Sequence, residues 1–231
     1  RENASQAREQ LSSEMFEQIN RLYLSVRDAD PAPTDGAEPY DLLRAVQLGA
    51  QTFQGVTDAT MSHGEDWCFI QVGRNIERAE CTARLLDVHL GQGASSTGAA
   101  FEAREYLLWV MLLRSCLAFE PYTKHYGPEF KPDQIVEFLL LNADFPRSMH
   151  YNFRQIELTL ARIGKESSPY AQQDLDRLTG RLVASLKYGE IDGIVGGGLH
   201  EFLSRTQSDC NAVHEALFQV YIRYPVEKAA S

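Results

Sequence analysis

The sequence has little cysteine, no long hydrophobic run and no excess of positive charge, and each shortfall excludes something. Cys68, Cys81, Cys116 and Cys210 are the only cysteines in 231 residues, widely spaced and without a CxxC pair. That spacing fits neither a disulfide framework nor a thiolate metal knuckle, so they read as reduced, buried thiols of a cytoplasmic protein. The longest apolar run, Tyr106 to Leu113, is bracketed by Glu105 and Arg114; it is far too short to cross a bilayer, and no membrane partner is expected. The opening RENASQAREQ does not read as a signal peptide. A formal charge of -10 argues against a nucleic-acid surface, which needs clustered Lys and Arg, although local basic pockets remain open.

Several chemical signatures are also missing. The histidines, His63, His89, His125, His150, His200 and His214, form neither HExxH nor the Glu-x-x-His repeat of di-iron bundles. His200 and His214 stand on one helix but almost four turns apart, so no metal is expected. There is no GxxxxGK[ST] loop and no G-x-S-x-G elbow, and no cofactor is expected. The glycines at 196–198 precede the last helix, where they read either as a flexible turn or as backbone N–H groups offered to an anion.

What remains is helical periodicity. Ala4, Ala7, Leu11, Met15, Ile19, Leu22 and Val26 form one stripe at steps of three and four, predicting a long first helix. It ends before the Pro-, Gly- and Asp-rich 28–39 segment. Further helices are predicted from about Tyr40 to Val56 and from Ser62, with Glu65 as its capping-box partner, to Leu90. After the 91–98 loop come helices over about Ala99 to Tyr122, Pro132 to Asn142, and from Pro146 through Ile163. Ser168 and Pro169 open another, and the last runs from residue 199 to about Tyr224. No stretch alternates as a β-strand. The fold class expected is all-α, a multi-helix antiparallel bundle of about eight helices in a single domain over 1–231. Because the chain begins at Arg1 inside a helical pattern, it reads as a piece of something longer.

The third helix carries GRNIERAECTAR, residues 73–84, with five ionisable side chains in an otherwise core-like segment. On a helical wheel Phe69, Val72, Ile76, Ala79, Ala83 and Leu86 fall on one side, and Trp67, Ile70, Cys81, Leu85 and Val88 nearly opposite. Apolar residues on two faces predict a central helix, and the LLWVMLL of the fourth predicts the same. Arg74, Glu77 and Arg78 fall on the Trp67–Val88 side, with Glu80 and Arg84 on its flank. Glu77 is expected to pair with Arg74 or with an arginine of another helix. One positive charge is left over, to be met by Glu14, Glu105, Glu120 or an anionic ligand. Arg147 near a helix start points to an acidic partner, because the helix dipole disfavours a cation there. Ser148 reads first as a hydroxyl satisfying the first turn of that helix.

The stretch TDATMSHGEDWCFIQVGRNIERAE, residues 57–80, resembles the signature of the alpha-E family, an α-helical domain with a Glu-Arg motif. SSEMFEQINRLYL, LLRSC, VEFLLLNADFPRSM and GLHEFL resemble the same family, so the likeness covers essentially the whole chain. The resemblance implies a partnership with a circularly permuted ATP-grasp ligase and a transglutaminase-like peptidase, and a role in peptide or amide-bond formation or modification. It also implies an earlier, similar Glu-Arg helix ahead of the point where this chain begins. Arg74, Glu77 and Arg78 are then the leading site candidates, with Arg114, Arg147 and Ser148 behind them. Three readings follow: an accessory module binding an acidic peptide or other anion, an enzyme with Glu77 as general base, or a structural ion network.

Overall fold

A computed structural model describes residues 1–29, 38–92, 99–163 and 169–221. Among the described residues there is no strand, and eleven α-helices account for the fold. The predicted loops at 28–39 and 91–98 and the Ser168 cap lie wholly or largely outside them. No helix of the described residues is long and apolar enough to cross a membrane. The chain divides into two compact units, Arg1–Phe69 and Ile70–Ser231.

In the first unit α1 (Glu2–Gln6), a 3-10 turn (Arg8–Gln10), α2 (Ser13–Arg27) and α3 (Glu38–Thr60) follow one another. The long first helix of the periodicity is therefore broken. Leu11 is extended, and Ser12 caps α2 by accepting the Met15 N–H through its hydroxyl. A serine whose side chain satisfies an orphan donor competes with helix continuation, and here that local bond overrides the apolar stripe. α2 and α3 pack antiparallel. The Ser12 and Thr60 hydroxyls meet at 2.8 Å, and Gln18 donates to the Gly49 carbonyl at 3.3 Å. Gly49 permits the approach: a Cβ there would stand 2.8 Å from a Leu22 methyl.

The second unit holds most of α4 (Glu65–Gln92), then α5 (Ala99–Ser115), α6 (Phe119–Tyr126), α7 (Pro132–Leu141), α8 (Met149–Leu160), α9 (Pro169–Lys187), α10 (Ile191–Gly196) and α11 (Leu199–Tyr221). α9 packs against α8 and α11, and α7 against α8. α4 opens at Glu65, where the Gly64 carbonyl accepts the Cys68 N–H, a turn later than the Ser62 start expected. The expected 99–122 helix is two helices. α5 closes in a Schellman motif: Ala118 N–H donates to the Leu113 carbonyl at 2.7 Å and Leu117 N–H to that of Arg114 at 3.0 Å. Leu117 takes the left-handed conformation (φ 51°) that glycine usually supplies, and buried Leu113 and Ala118 close the motif.

Neither α4 nor α5 is buried all round. Leu85 and Val88 on α4 are exposed, as are Tyr106, Leu107 and Met111 on α5, so each helix buries one face. The most enclosed element is the short α7, where Ile135, Val136, Phe138, Leu139 and Leu140 are all buried. Its first residue, Pro132, stands in the first turn, where the missing N–H costs nothing.

Candidate functional site

The register of α4 decides where each of its charges goes. Gln71, Val72, Asn75, Ile76, Ala79, Thr82, Ala83 and Leu86 are buried, and their steps of three and four define one face. At about 100° per residue, that face leaves Arg74 and Arg78 along one edge and Glu80 and Asp87 along the other. Glu77 falls at the middle of the opposite, solvent-facing side. Burial agrees: Arg74, Arg78 and Glu80 are half-buried, while Glu77 and Arg84 are exposed. Two residues adjacent in sequence thus differ in setting, since the Glu77 carboxylate points to water and the Arg78 side chain lies against the protein.

The acidic edge is matched within the protein. Glu80 pairs with Arg84 one turn on, and Asp87 accepts from Nδ1 of His200 on α11. Glu80 also lies near Cys210, whose thiol burial pushes up to about 12, with Glu80 adding to the effect. Arg74 donates to the Gln71 side-chain oxygen one turn back, and Asn75 donates to the Gln71 carbonyl at 2.7 Å. The Thr82 hydroxyl donates to the carbonyl of Arg147 at 2.8 Å, which brings the connection between α7 and α8 against α4 one turn beyond Arg78. Arg147 is itself half-buried, and its guanidinium acts on Cys116. Burial pushes that thiol up to about 11, against the opposing pull of the Arg147 charge.

A side-chain network holds Arg147 in place. Asn142 Oδ1 accepts the N–H groups of Asp144 and Phe145 at 2.9 and 2.8 Å, the Asx turn that such a short connection needs. The Ser148 hydroxyl donates to the Asn142 carbonyl and accepts the Tyr151 N–H at 3.1 Å, so Ser148 is the N-cap of α8. Asn152 then donates to the carbonyls of Pro146 and Ser148. Ser148 is fully buried in this role. Arg114 is set apart: it is exposed and its guanidinium lies 4.5 Å from the centre of the Phe119 ring.

The fold therefore sets Arg74 and Arg78 one turn apart on α4 and brings the Arg147 backbone against the same helix at Thr82, with Ser148 capping the helix that follows. It places Glu77 and Arg114 elsewhere on the surface. Among the described residues Glu77 forms no ion pair, contrary to the pairing expected. Of the carboxylates considered as partners for the arginines, Glu105 lies beside His89, while Glu14 and Glu120 are exposed. The polar residues that sequence reasoning passed over are Gln71, Asn75 and Thr82. Their spacing of four and seven continues the arginine edge and is legible in the sequence once the buried side is known. His89 and Trp109, with ring centres 4.0 Å apart, join α4 to α5 beyond Thr82.

Two neighbouring guanidiniums one turn apart on a helix can hold a carboxylate or phosphate through paired, charge-assisted hydrogen bonds. Comparison with known proteins gives relatives of this chain but no activity. The chain is 23% identical over 214 residues to the uncharacterized protein Rv2567 of Mycobacterium tuberculosis (strain ATCC 25618 / H37Rv), a match covering 90% of this chain and 23% of that protein. The same values hold for the uncharacterized protein Mb2597 of Mycobacterium bovis. The chain thus spans about a quarter of the length of the curated relatives it matches. No solved structure matches it. The model of the Alpha-E family, described as a predicted alpha-helical domain with a conserved ER motif, matches residues 1–222. The sequence holds one Glu-Arg dipeptide, Glu77–Arg78 on α4, and with the family model spanning nearly its whole length the chain belongs to the Alpha-E family.

Proposed function

We propose that this chain is a non-catalytic binding module for an anionic partner, with Arg74 and Arg78 as the primary clamp and Arg147 completing it. The observation that carries this reading is that Arg74 and Arg78 stand half-buried one turn apart on α4, with the half-buried Arg147 held against the same helix one turn further on by the Thr82–Arg147 hydrogen bond. Half-burial strengthens an arginine–carboxylate contact relative to a fully solvated one, because less water competes. The loop carrying Arg147 is fixed by the Asn142–Ser148–Asn152 bonds, so little ordering entropy remains to be lost on binding. The partner class proposed is the one the family resemblance implies: an ATP-grasp ligase working on peptide or amide bonds, with a transglutaminase-like peptidase in the same company. The ligand chemistry is the carboxylate of an acidic peptide or a phosphate on that partner. Glu77 as a general base finds less support, since it faces solvent and shares no cleft with the arginines.

The experiment is calorimetry and pull-down against a cognate ATP-grasp protein and against hexaglutamate, with wild type, Arg74→Lys and Arg78→Lys. Lysine keeps the charge but lacks the planar fork, so each variant weakens binding while retaining the fold. Unchanged affinity in both variants would remove the clamp from the molecule's function.

A further inference from the structure

The glycine run ahead of the last helix forms no part of the arginine edge, yet it lines a cleft of its own. The connection between α9 and α10, α10 itself and the first turns of α11 border an open cleft of about 380 Å³, within the roughly 300–1,000 Å³ typical of small-ligand sites. Gly189, Gly193, Gly197 and Gly198 give it walls of bare backbone. Gly198 also makes the turn into α11 at φ 98°, a conformation other residues adopt only with strain. Ile194, buried, and Phe202, half-buried, supply an apolar side.

The charges lining the cleft are of both signs: Glu190, Glu201 and Arg205. Glu201 and Arg205 stand at i,i+4 in the order that favours an ion pair on a helix. Among the described residues, however, none of the three belongs to an ion pair. Opposite charges that border one cleft without satisfying each other are complementary to a ligand bearing both an ammonium and a carboxylate. We infer that this cleft binds an α-amino acid with an apolar side chain. Its ammonium meets Glu190 and Glu201, its carboxylate meets Arg205, and its side chain lies on Ile194 and Phe202.

The test is titration calorimetry with L-leucine, with isocaproate, which lacks the ammonium, and with isoamylamine, which lacks the carboxylate. L-leucine should bind saturably, and each analogue at least about tenfold more weakly, as loss of one charge-assisted contact requires. Arg205→Gln and Glu201→Gln, both at exposed positions, should weaken L-leucine by a similar factor. Gly193 lies in α10 and a Cβ there meets no atom within 4 Å, so Gly193→Leu fills the cleft without disturbing the helix. That variant should keep its thermal melt and lose the binding. The inference is overturned by L-leucine that does not saturate, by isocaproate or isoamylamine binding as well as L-leucine, or by Gly193→Leu binding undiminished. Arg74→Lys leaves this cleft untouched, so its failure and that of the arginine clamp are read separately.

Discussion

Removing the Ser148 hydroxyl takes from α8 its N-cap and from the Asn142 carbonyl its donor, both in a fully buried place. Ser148→Ala should therefore cost about 1–3 kcal/mol, read from urea melts. Glu77→Ala, on the solvent side of α4, should cost about 0.5 kcal/mol or less in the same measurement. A larger loss for Glu77 than for Ser148 would mean that the register of α4 is misassigned. Sequence spacing told that these two residues were unusual, and it read Ser148 as a first-turn hydroxyl of a helix opening at Pro146, whereas the helix begins at Met149 and Ser148 is its N-cap. It could not tell which edge of α4 faces the protein, because apolar side chains occur on both sides and only packing chooses between them. His89 adds a pH dependence. Its burial lowers its pKa, with Glu105 opposing, so the folded state binds the imidazole proton less readily than the unfolded chain. The stability it contributes is full above the unfolded value of about 6.5 and is lost as pH falls from there toward the lower folded value. Urea midpoints followed from about pH 7.5 to 5.5 should thus fall less steeply in His89→Gln than in wild type. Parallel slopes would remove His89 from the acid sensitivity.

Element boundaries depend on bonds that periodicity does not see. The apolar pattern over 99–122 runs unbroken, yet the chain turns at Leu117 because Leu113 and Ala118 close a Schellman motif around it. A leucine in the left-handed position is a poor signal, since glycine or asparagine usually marks it. Leu117 is substantially exposed, so its side chain returns little burial for that strain. Leu117→Gly should be neutral or stabilising by up to about 1 kcal/mol, and Leu117→Val should cost about 1–2 kcal/mol, since a β-branched residue suits the left-handed region least. Thermal melts of the two variants check this, and a stabilising Val would show that α5 and α6 join differently. The break of the first predicted helix has the same origin, a Ser12 cap inside a continuous stripe. Elements whose ends carry a proline or a cap serine beside a clean one-sided stripe, such as α7 and α8, were legible to within a few residues. α10 was not, because six residues with two glycines show no period.

Across the whole molecule, a net charge of -10 surrounds one basic edge, and the two act over different ranges. Composition alone exposed the first and argued against a nucleic-acid surface; the second became visible only when the fold brought Arg147 to α4. An anionic partner is repelled at long range by the overall charge and attracted at short range by Arg74, Arg78 and Arg147. Salt screens the long-range part first, over a Debye length of about 10 Å at 0.1 M. For hexaglutamate the association rate should therefore rise, not fall, between about 50 and 200 mM salt, while dissociation also quickens as the arginine contacts weaken. The affinity should change less than about tenfold over that range, against roughly 10³–10⁵ for proteins neutralising many phosphates. Arg78→Lys keeps the net charge and should leave the salt dependence of the association rate unchanged, raising only the dissociation rate. Stopped-flow mixing with fluorescent hexaglutamate separates the two rates. An association rate that falls steeply with salt would show that the basic edge governs encounter as well as capture, and would make the acidic remainder of the surface irrelevant to partner choice.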